Sequence, residues 1–254
     1  MTGMLQGKVA LVTGGNRGIG EAFVRALLAA GARRVYVAAR NLVDAAHLVA
    51  EAPDRTVAVE LDVTRPEQIA AAAAQCGDVQ VLVNNAGAFL NHRLIGADDI
   101  VAAREEMEVN YFGVLQMCRA FAPILARNGG GAIANVLSSG GLVAAPTMGG
   151  YSPSKFAGRA ATTCIRAELA EQGTQVSALI VGSVDTRMAA HVAGQKEPPA
   201  VVAQAGLNAI RRNIDELDTD RMATEVRAAL QRDPKALERS MARQLGAAQI
   251  STGR

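Results

Sequence analysis

At 254 residues, half of them hydrophobic and 20% charged, the chain has enough apolar material for a packed core, which excludes a disordered protein. Its net charge of +2 is too small to suggest nucleic acid or an anionic membrane surface as partner. Aromatics make up only 3% and tryptophan is absent, so Ala, Val, Leu and Ile must build the interior.

Val9 to Val12 is a short apolar run closed by Thr13 and Gly14, the pattern of a buried strand. The run Thr13 to Gly20, TGGNRGIG, opens a helix that continues to about Ala30, where Gly31 stops it. Arg34 to Ala39 is a second strand, and Asn41 caps a helix through Ala52. Thr56 to Leu61 is a third strand. Thr64, Pro66 and Glu67 mark the next helix start, with Thr as cap and Pro in the first turn. Val79 to Val83 is a fourth strand, ending in Asn84-Asn85-Ala86-Gly87. A long helix from about Asp98 to Arg127 contains Asn110, and Gly129 to Gly131 break it. Gly131 to Leu137 reads as the fifth strand, with Ser138 and Ser139 at its end. A helix beginning near Tyr151 ends near Gln172-Gly173, and Val176 to Val181 is the sixth strand.

Beyond Gly182 the pattern loosens. Pro198 to Arg212 reads as a helix and Ile214 to Leu217 as a short strand. Met222, Val226 and Leu230 make one apolar stripe, and Leu237, Met241 and Leu245 another, so two more helices lie at about 220–247. Asp233-Pro234 starts the second, and fraying is expected from about Ala248. Strand alternating with helix implies βαβ units and a parallel sheet with helices on both faces. No repeat or low-complexity linker divides the chain, so residues 1–254 are expected to form a single domain.

The three cysteines, Cys76, Cys118 and Cys164, are widely spaced and form no CxxC, which suits a reducing cytoplasm and gives no metal framework. No signal-peptide pattern precedes the first strand, and no apolar run approaches the ~18 residues of a spanning helix.

Gly14, Gly18 and Gly20 lie directly between strand and helix. That placement lets a pyrophosphate approach the backbone and the free N–H groups of a helix start. The spacing is GxxxGxG, not GxGxxG. At the end of the second strand an acid would hold the ribose hydroxyls of NAD. This chain has Ala39 and Arg40 there, with Arg17 in the glycine loop as a second cation, so NADP is favoured.

Tyr151 and Lys155 stand at i, i+4, on one face of a helix. Pro153 between them requires the helix to start close to Tyr151. A nearby cation favours the phenolate and lowers the pKa of a tyrosine.

Taken together, TGGNRGIG, Asp62-Val63, NNAG at 84–87, Asn110, Ser138 and YSPSK at 151–155 resemble the short-chain dehydrogenase/reductase family in order and spacing, over about residues 7–190. The resemblance implies a Rossmann-like, doubly wound α/β domain with a seven-stranded, mostly parallel sheet. It implies NADP(H)-dependent chemistry at a carbonyl or alcohol carbon of a small molecule.

By that resemblance Tyr151 is general acid in reduction and base in oxidation. Lys155 lowers its pKa and binds the nicotinamide ribose. Ser138 orients the substrate oxygen, and Asn110 holds a water that relays protons to Lys155. The cofactor would lie along Gly14, Asn16, Arg17, Gly18, Ile19 and Gly20, and then Arg40. Asp62 and Val63 would contact its adenine, Asn84, Ala86 and Gly87 would pass beside it, and Val184 and Thr186 would hold its carboxamide. The family's usual Pro-Gly is Val181-Gly182 here, ahead of an expected substrate loop at about 182–198. The family's common Asp-Gly-Gly ending is also missing, and the two amphipathic helices stand in its place.

The family often has two serines at the catalytic position, the second being catalytic. Its serine lies thirteen residues before the tyrosine, which selects Ser138 over Ser139. The resemblance also implies a homodimer or homotetramer built on the helices near 98–127 and 151–172. Phe89, Leu90, Val143, Pro146, Met188 and Val192 are expected to make an apolar substrate pocket, which favours uncharged ketones or aldehydes. His47, His92 and His191 read as surface or packing residues, Asp98-Asp99 as a helix start, and Glu105-Glu106 with Arg104 as a solvated face. Two alternatives remain: another reaction on this scaffold (imine or C=C reduction, epimerisation), or a protein that senses NADP(H) without chemistry.

Overall fold

Seven strands form a single sheet: β1 Val9–Thr13, β2 Arg34–Ala39, β3 Thr56–Glu60, β4 Val81–Asn84, β5 Ala132–Val136, β6 Gln175–Ile180 and β7 Glu216–Asp218. The computed structural model describes residues 5–190 and 192–251, so His191 lies outside the described residues. The strand order is β3-β2-β1-β4-β5-β6-β7, and every pairing is parallel. The chain winds outward from β1 to β3 and then returns to place β4 on the other side of β1. That reversal is a topological switch point, where open α/β sheets hold ligands.

Alternation along the strands divides the core in two. Ala10 and Val12 of β1, with Val81 and Val83 of β4, pack under α1 (Gly18–Ala29) and α7 (Pro199–Arg212), against Phe23, Leu27, Val202 and Leu207. Val9, Leu11 and Leu82 face the other way. They meet α3 (Pro66–Gln75), α5 (Val114–Arg127) and α6 (Tyr151–Glu168) through Ile69, Met117, Phe121, Leu125 and Ile165. Phe121 is fully buried, and a large-to-small change at such a position typically costs ~3–5 kcal/mol.

Several boundaries differ from the sequence reading. Asn41 does cap, accepting from Val43 N at 3.1 Å, but a 3₁₀ turn at Leu42–Ala45 precedes α2 (Ala46–Glu51). Thr64 does not cap α3. Its N–H and hydroxyl both donate to Asp62 Oδ1, at 2.9 and 2.7 Å, and Arg65 takes the cap position. The long helix is not continuous. After α4 (Val101–Met107) comes a π-helical turn, Glu108–Gly113, and then α5. The turn is held inward by Asn110, whose amide bonds both the N–H and the C=O of Ala88. Asp99 accepts from Val101 N at 2.8 Å, as expected of a helix start. The helix from Tyr151 ends at Glu168, earlier than expected, while α9 (Pro234–Ser251) runs on past Ala248.

The C-terminal part closes the sheet beyond β6. β7 carries Glu216 and Asp218 between two arginines. Arg159 of α6 grips Glu216 through two bonds, at 2.7 and 2.9 Å, and Arg227 of α8 (Arg221–Arg232) grips Asp218 at 2.6 and 2.7 Å. Val226 and Leu230 pack on a third cluster with Leu137, Leu142 and Ile180, while Met222 stays 45% exposed. Asp220 caps α8 by accepting from Ala223 N at 3.0 Å, and it also accepts from Gly182 N at 2.7 Å, just past β6.

Asp220 is buried, so its loss strands two backbone donors, one of them the capped N–H of α8. Asp220→Ala is expected to lower unfolding stability by about 1–3 kcal/mol, with Asp220→Asn costing less. Urea denaturation measures both, and an Ala variant as stable as wild type would contradict this role.

Candidate active site

The glycine loop and the turn after β4 meet at the switch point. Thr13 ends β1, and its Oγ1 accepts from the N–H groups of Asn85 and Ala86, at 2.9 and 3.0 Å. Asn85 Nδ2 donates back to the carbonyls of Thr13 and Gly14. Gly14 and Gly18 hold φ of +59° and +55°, the left-handed region that favours glycine. A Cβ on Gly20 would overlap the Gly14 carbonyl, and one on Gly18 would sit 3.2 Å from Thr186 Cγ2. The loop thus leaves its backbone open at the start of α1 and faces Thr186 across the cleft. Asn16, Gly18 and Ile19 are partly exposed along it, and Arg17 is fully exposed.

Asn84 is different. Its side chain turns into the interior, donating to Asn135 Oδ1 at 2.9 Å and to Cys118 Sγ at 3.4 Å, so only its backbone borders the cleft. Val63 is likewise buried, against Gly113, and Val184 is buried in the loop past β6, whereas Asp62, just after β3, is half-buried. Arg40 follows β2 and is exposed. Neither its guanidinium nor that of Arg17 pairs with another described residue. Two unpaired cations and an open glycine cradle fit a nucleotide with an extra phosphate on its ribose.

The reactive side chains come from β5, α6 and the π-helical turn. Tyr151 is the first residue of α6, with Pro153 in the first turn where its missing N–H costs nothing. Ser138 leaves the end of β5 in extended backbone, and its Oγ accepts from Gly140 N at 3.1 Å. It stands near enough to the Tyr151 phenol to favour its ionised form. Ser139 instead enters a 3₁₀ turn, and its N–H donates to Val181 O.

Lys155 is 5% exposed. Its Nζ donates to Val136 O at 3.1 Å and lies 5.5 Å from the Tyr151 ring centroid. A Cβ on Gly87 would stand 3.7 Å from that Nζ. Asn110 Nδ2 reaches Ser154 Oγ at 2.9 Å, and Ser154 in turn donates to Tyr151 O. The structure therefore gathers Asn110, Ser138, Tyr151 and Lys155 at one place beside Ala86 and Gly87.

The electrostatics are less simple than a lysine lowering a tyrosine. Burial pushes the phenol of Tyr151 up, the nearby Ser138 pulls it down, and the charge of Glu106 pushes it up further, with a net rise. Burial alone brings the Lys155 ammonium down to about 8. Phe89 packs edge-on against the Tyr151 ring, with centroids 5.1 Å apart.

Glu106 overturns the solvated-face reading: it is fully buried, while Glu105 beside it is exposed. The signal was present, since Glu106 stands four residues before the buried Asn110 and so shares its helix face. Asn85 and Thr13, which brace the cleft, were also missed. A threonine ending a strand gives no hint of its partner 72 residues away. His47 sits at the surface, 3.6 Å from Glu21, and the His92 main chain packs on Gly149. Among the described residues no cluster of His, Cys, Asp or Glu could hold a metal ion.

Comparison with known proteins agrees with this geometry. The short chain dehydrogenase family model matches residues 8–197. The 3-alpha-(or 20-beta)-hydroxysteroid dehydrogenase of Mycobacterium bovis is 38% identical over 194 residues, covering 74% of this chain and 73% of the relative. The galactitol 2-dehydrogenase (L-tagatose-forming) of Cereibacter sphaeroides is 38% identical over 192 residues, covering 72% and 74%. Among solved structures, a short chain dehydrogenase from Burkholderia cenocepacia in complex with NADP superposes with a TM-score of 0.88 at 41% identity, covering 94% of this chain and 98% of that one. With its parallel sheet, its glycine cradle at the switch point and a match of this extent, the chain belongs to the short-chain dehydrogenase/reductase family of oxidoreductases.

Proposed function

We propose that the protein is an NADPH-dependent oxidoreductase that interconverts a carbonyl and an alcohol on a small, hydrophobic substrate. The observation that carries this reading is the buried Lys155 ammonium 5.5 Å from the centre of the Tyr151 ring, where β5 delivers Ser138 and α6 begins. NADPH, when bound, supplies a hydride to the carbonyl carbon. Arg17 and Arg40 would receive its extra phosphate, Gly14 to Gly20 its pyrophosphate, and Val184 and Thr186 its carboxamide. The Burkholderia relative crystallised with NADP supports that choice.

Tyr151 gives its proton to the carbonyl oxygen, and Ser138 holds that oxygen as charge develops. A phenol kept protonated by burial is ready to donate. Lys155, at about 8, can lose and regain a proton near neutrality. The side chain of Asn110 is fully engaged with Ala88 and Ser154. A relay water would therefore bind its main chain, which the π-helical turn moves out of the α register.

Phe89 on the Tyr151 ring and the buried Val143 make the surroundings apolar, which supports uncharged ketones or aldehydes. Met188, 44% exposed, is open to a ligand entering beside it. Three free thiols support a reducing, cytoplasmic setting. No described helix is long and apolar enough to cross a membrane.

Three measurements test this reading. Tyr151→Phe is expected to abolish nearly all turnover while retaining NADPH binding, a loss of ~10²–10⁴-fold. In the same series Ser138→Ala should cost on the order of 10²-fold and Ser139→Ala almost nothing. Substantial activity in Tyr151→Phe would move the protein to another reaction class or to cofactor sensing. Steady-state kinetics with both cofactors should show a strong preference for NADPH, and Arg40→Ala should weaken NADPH far more than NADH; equal efficiency with NADH would refute the phosphate reading.

Finally, Phe112 and Phe156 are 41% and 38% exposed on the π-helical turn and α6, where Ala160 and Ala167 permit close approach. A homodimer or homotetramer on these helices should appear in light scattering at micromolar concentration. Monomer mass alone would reject it.

A further inference from the structure

Glu106 is the one fully buried carboxylate residue among the described residues. Its Oε1 accepts from Leu90 N at 2.7 Å, and its Oε2 has no hydrogen-bond partner. Gly150, the residue before Tyr151, lies directly against it: a Cβ there would stand 2.8 Å from Oε2. The carboxyl therefore joins three segments. It sits on α4, it anchors the segment after β4 that carries Phe89, and it abuts the start of α6. Phe89 and Tyr151, whose rings meet edge-on, are each one residue from a Glu106 contact.

A carboxyl with one buried, unpartnered oxygen is costly to keep. A valine or leucine on this face of α4 would pack without that cost. The geometry accounts for the residue only through its neighbours.

We propose that Glu106 is a positioning residue for Tyr151, fixing the Phe89–Leu90 segment against the phenol ring and placing negative charge beside the phenol so that it stays in its proton-donating form. This rests on the reading of Tyr151 as the general acid. A carboxylate here opposes the phenolate by like-charge repulsion, the direction in which Glu106 pushes the Tyr151 phenol. Other groups facing Glu106 are few. His92, on the segment after β4, supplies a favourable charge when protonated, and Glu105 on α4 adds repulsion. Lys155 lies over the Tyr151 ring, and burial brings its ammonium down to about 8.

Phenolate difference absorbance tests the proposal without requiring turnover. The chain has only three tyrosines, and subtracting a matched Tyr151→Phe background isolates Tyr151. Glu106→Gln keeps the shape and an acceptor for Leu90 N but removes the charge. It should lower the Tyr151 titration midpoint by on the order of one pH unit. The alkaline limb of NADPH-driven reduction should move down with it, and NADPH affinity should hold. Glu106→Met also removes the anchor, so it should show the same titration shift and, in addition, a lower kcat at every pH. Titrations of Glu106→Gln and Glu106→Met that superimpose on wild type overturn the proposal, whatever the turnover. A shifted titration in a protein that reduces no carbonyl would support it and sink the carbonyl reading instead.

Discussion

A lysine ammonium that is 5% exposed and donates to a main-chain carbonyl is the constraint around which the cleft is arranged. Charge taken out of water must be compensated or the group releases its proton more easily, and burial brings Lys155 down accordingly. The cost recurs at each neighbour. β5 must end at Val136 so that its carbonyl meets Nζ. α6 must begin at Tyr151 so that the lysine comes one turn later on the same face. Gly87 must be small so that the turn after β4 can close over both. Local rules of burial are broken here, as at Glu106, in a core otherwise built mainly of Ala, Val, Leu and Ile, as is usual where structure serves chemistry.

Buried polar side chains, more than aromatic packing, knit the loops to the sheet. One chain of bonds runs from Asn84 through Asn135 and Thr162 to the Gly158 carbonyl, tying β4, β5 and α6 together beneath the site. Another runs from Ala88 through Asn110 and Ser154 to the Tyr151 carbonyl, fixing the α6 start against the turn after β4. A third braces Gly14 against Asn85. Networks of this kind are strong when every member is satisfied and leave little freedom for the groups they hold.

Much of this was legible in the chain. The alternation of apolar runs with glycine stops gave seven strands and their order of appearance, because period and punctuation are local signals. Tyr151 and Lys155 stood out by their i, i+4 spacing, and Ser138 was picked by the family's serine-to-tyrosine distance. What escaped was non-local. Asn84 reads like its neighbour Asn85, yet one turns inward to Asn135 and the other braces the glycine loop. Thr64 looks like a cap but is drawn off by Asp62. The π-helical turn cannot be seen in a continuous helical pattern, since the pull on Asn110 comes from Ala88, 22 residues away. Glu106 was misread because two adjacent acids suggest solvent, while helix geometry puts them on different faces.

The family match ends at residue 197, but the support for the loop after β6 does not. Gly182 is held by Asp220, which leaves the ribosome after almost all of the sheet has been made. Until β7 emerges, the outer edge of β6 has no neighbour, and its N–H and C=O groups face water or any other strand within reach. The cofactor cleft is therefore finished from its far side, and by the last elements to appear. An mRNA or nascent chain cut short near the end would leave a nearly whole sheet with an open edge and an untethered loop after β6, a species suited to recognition by chaperones rather than by cofactor.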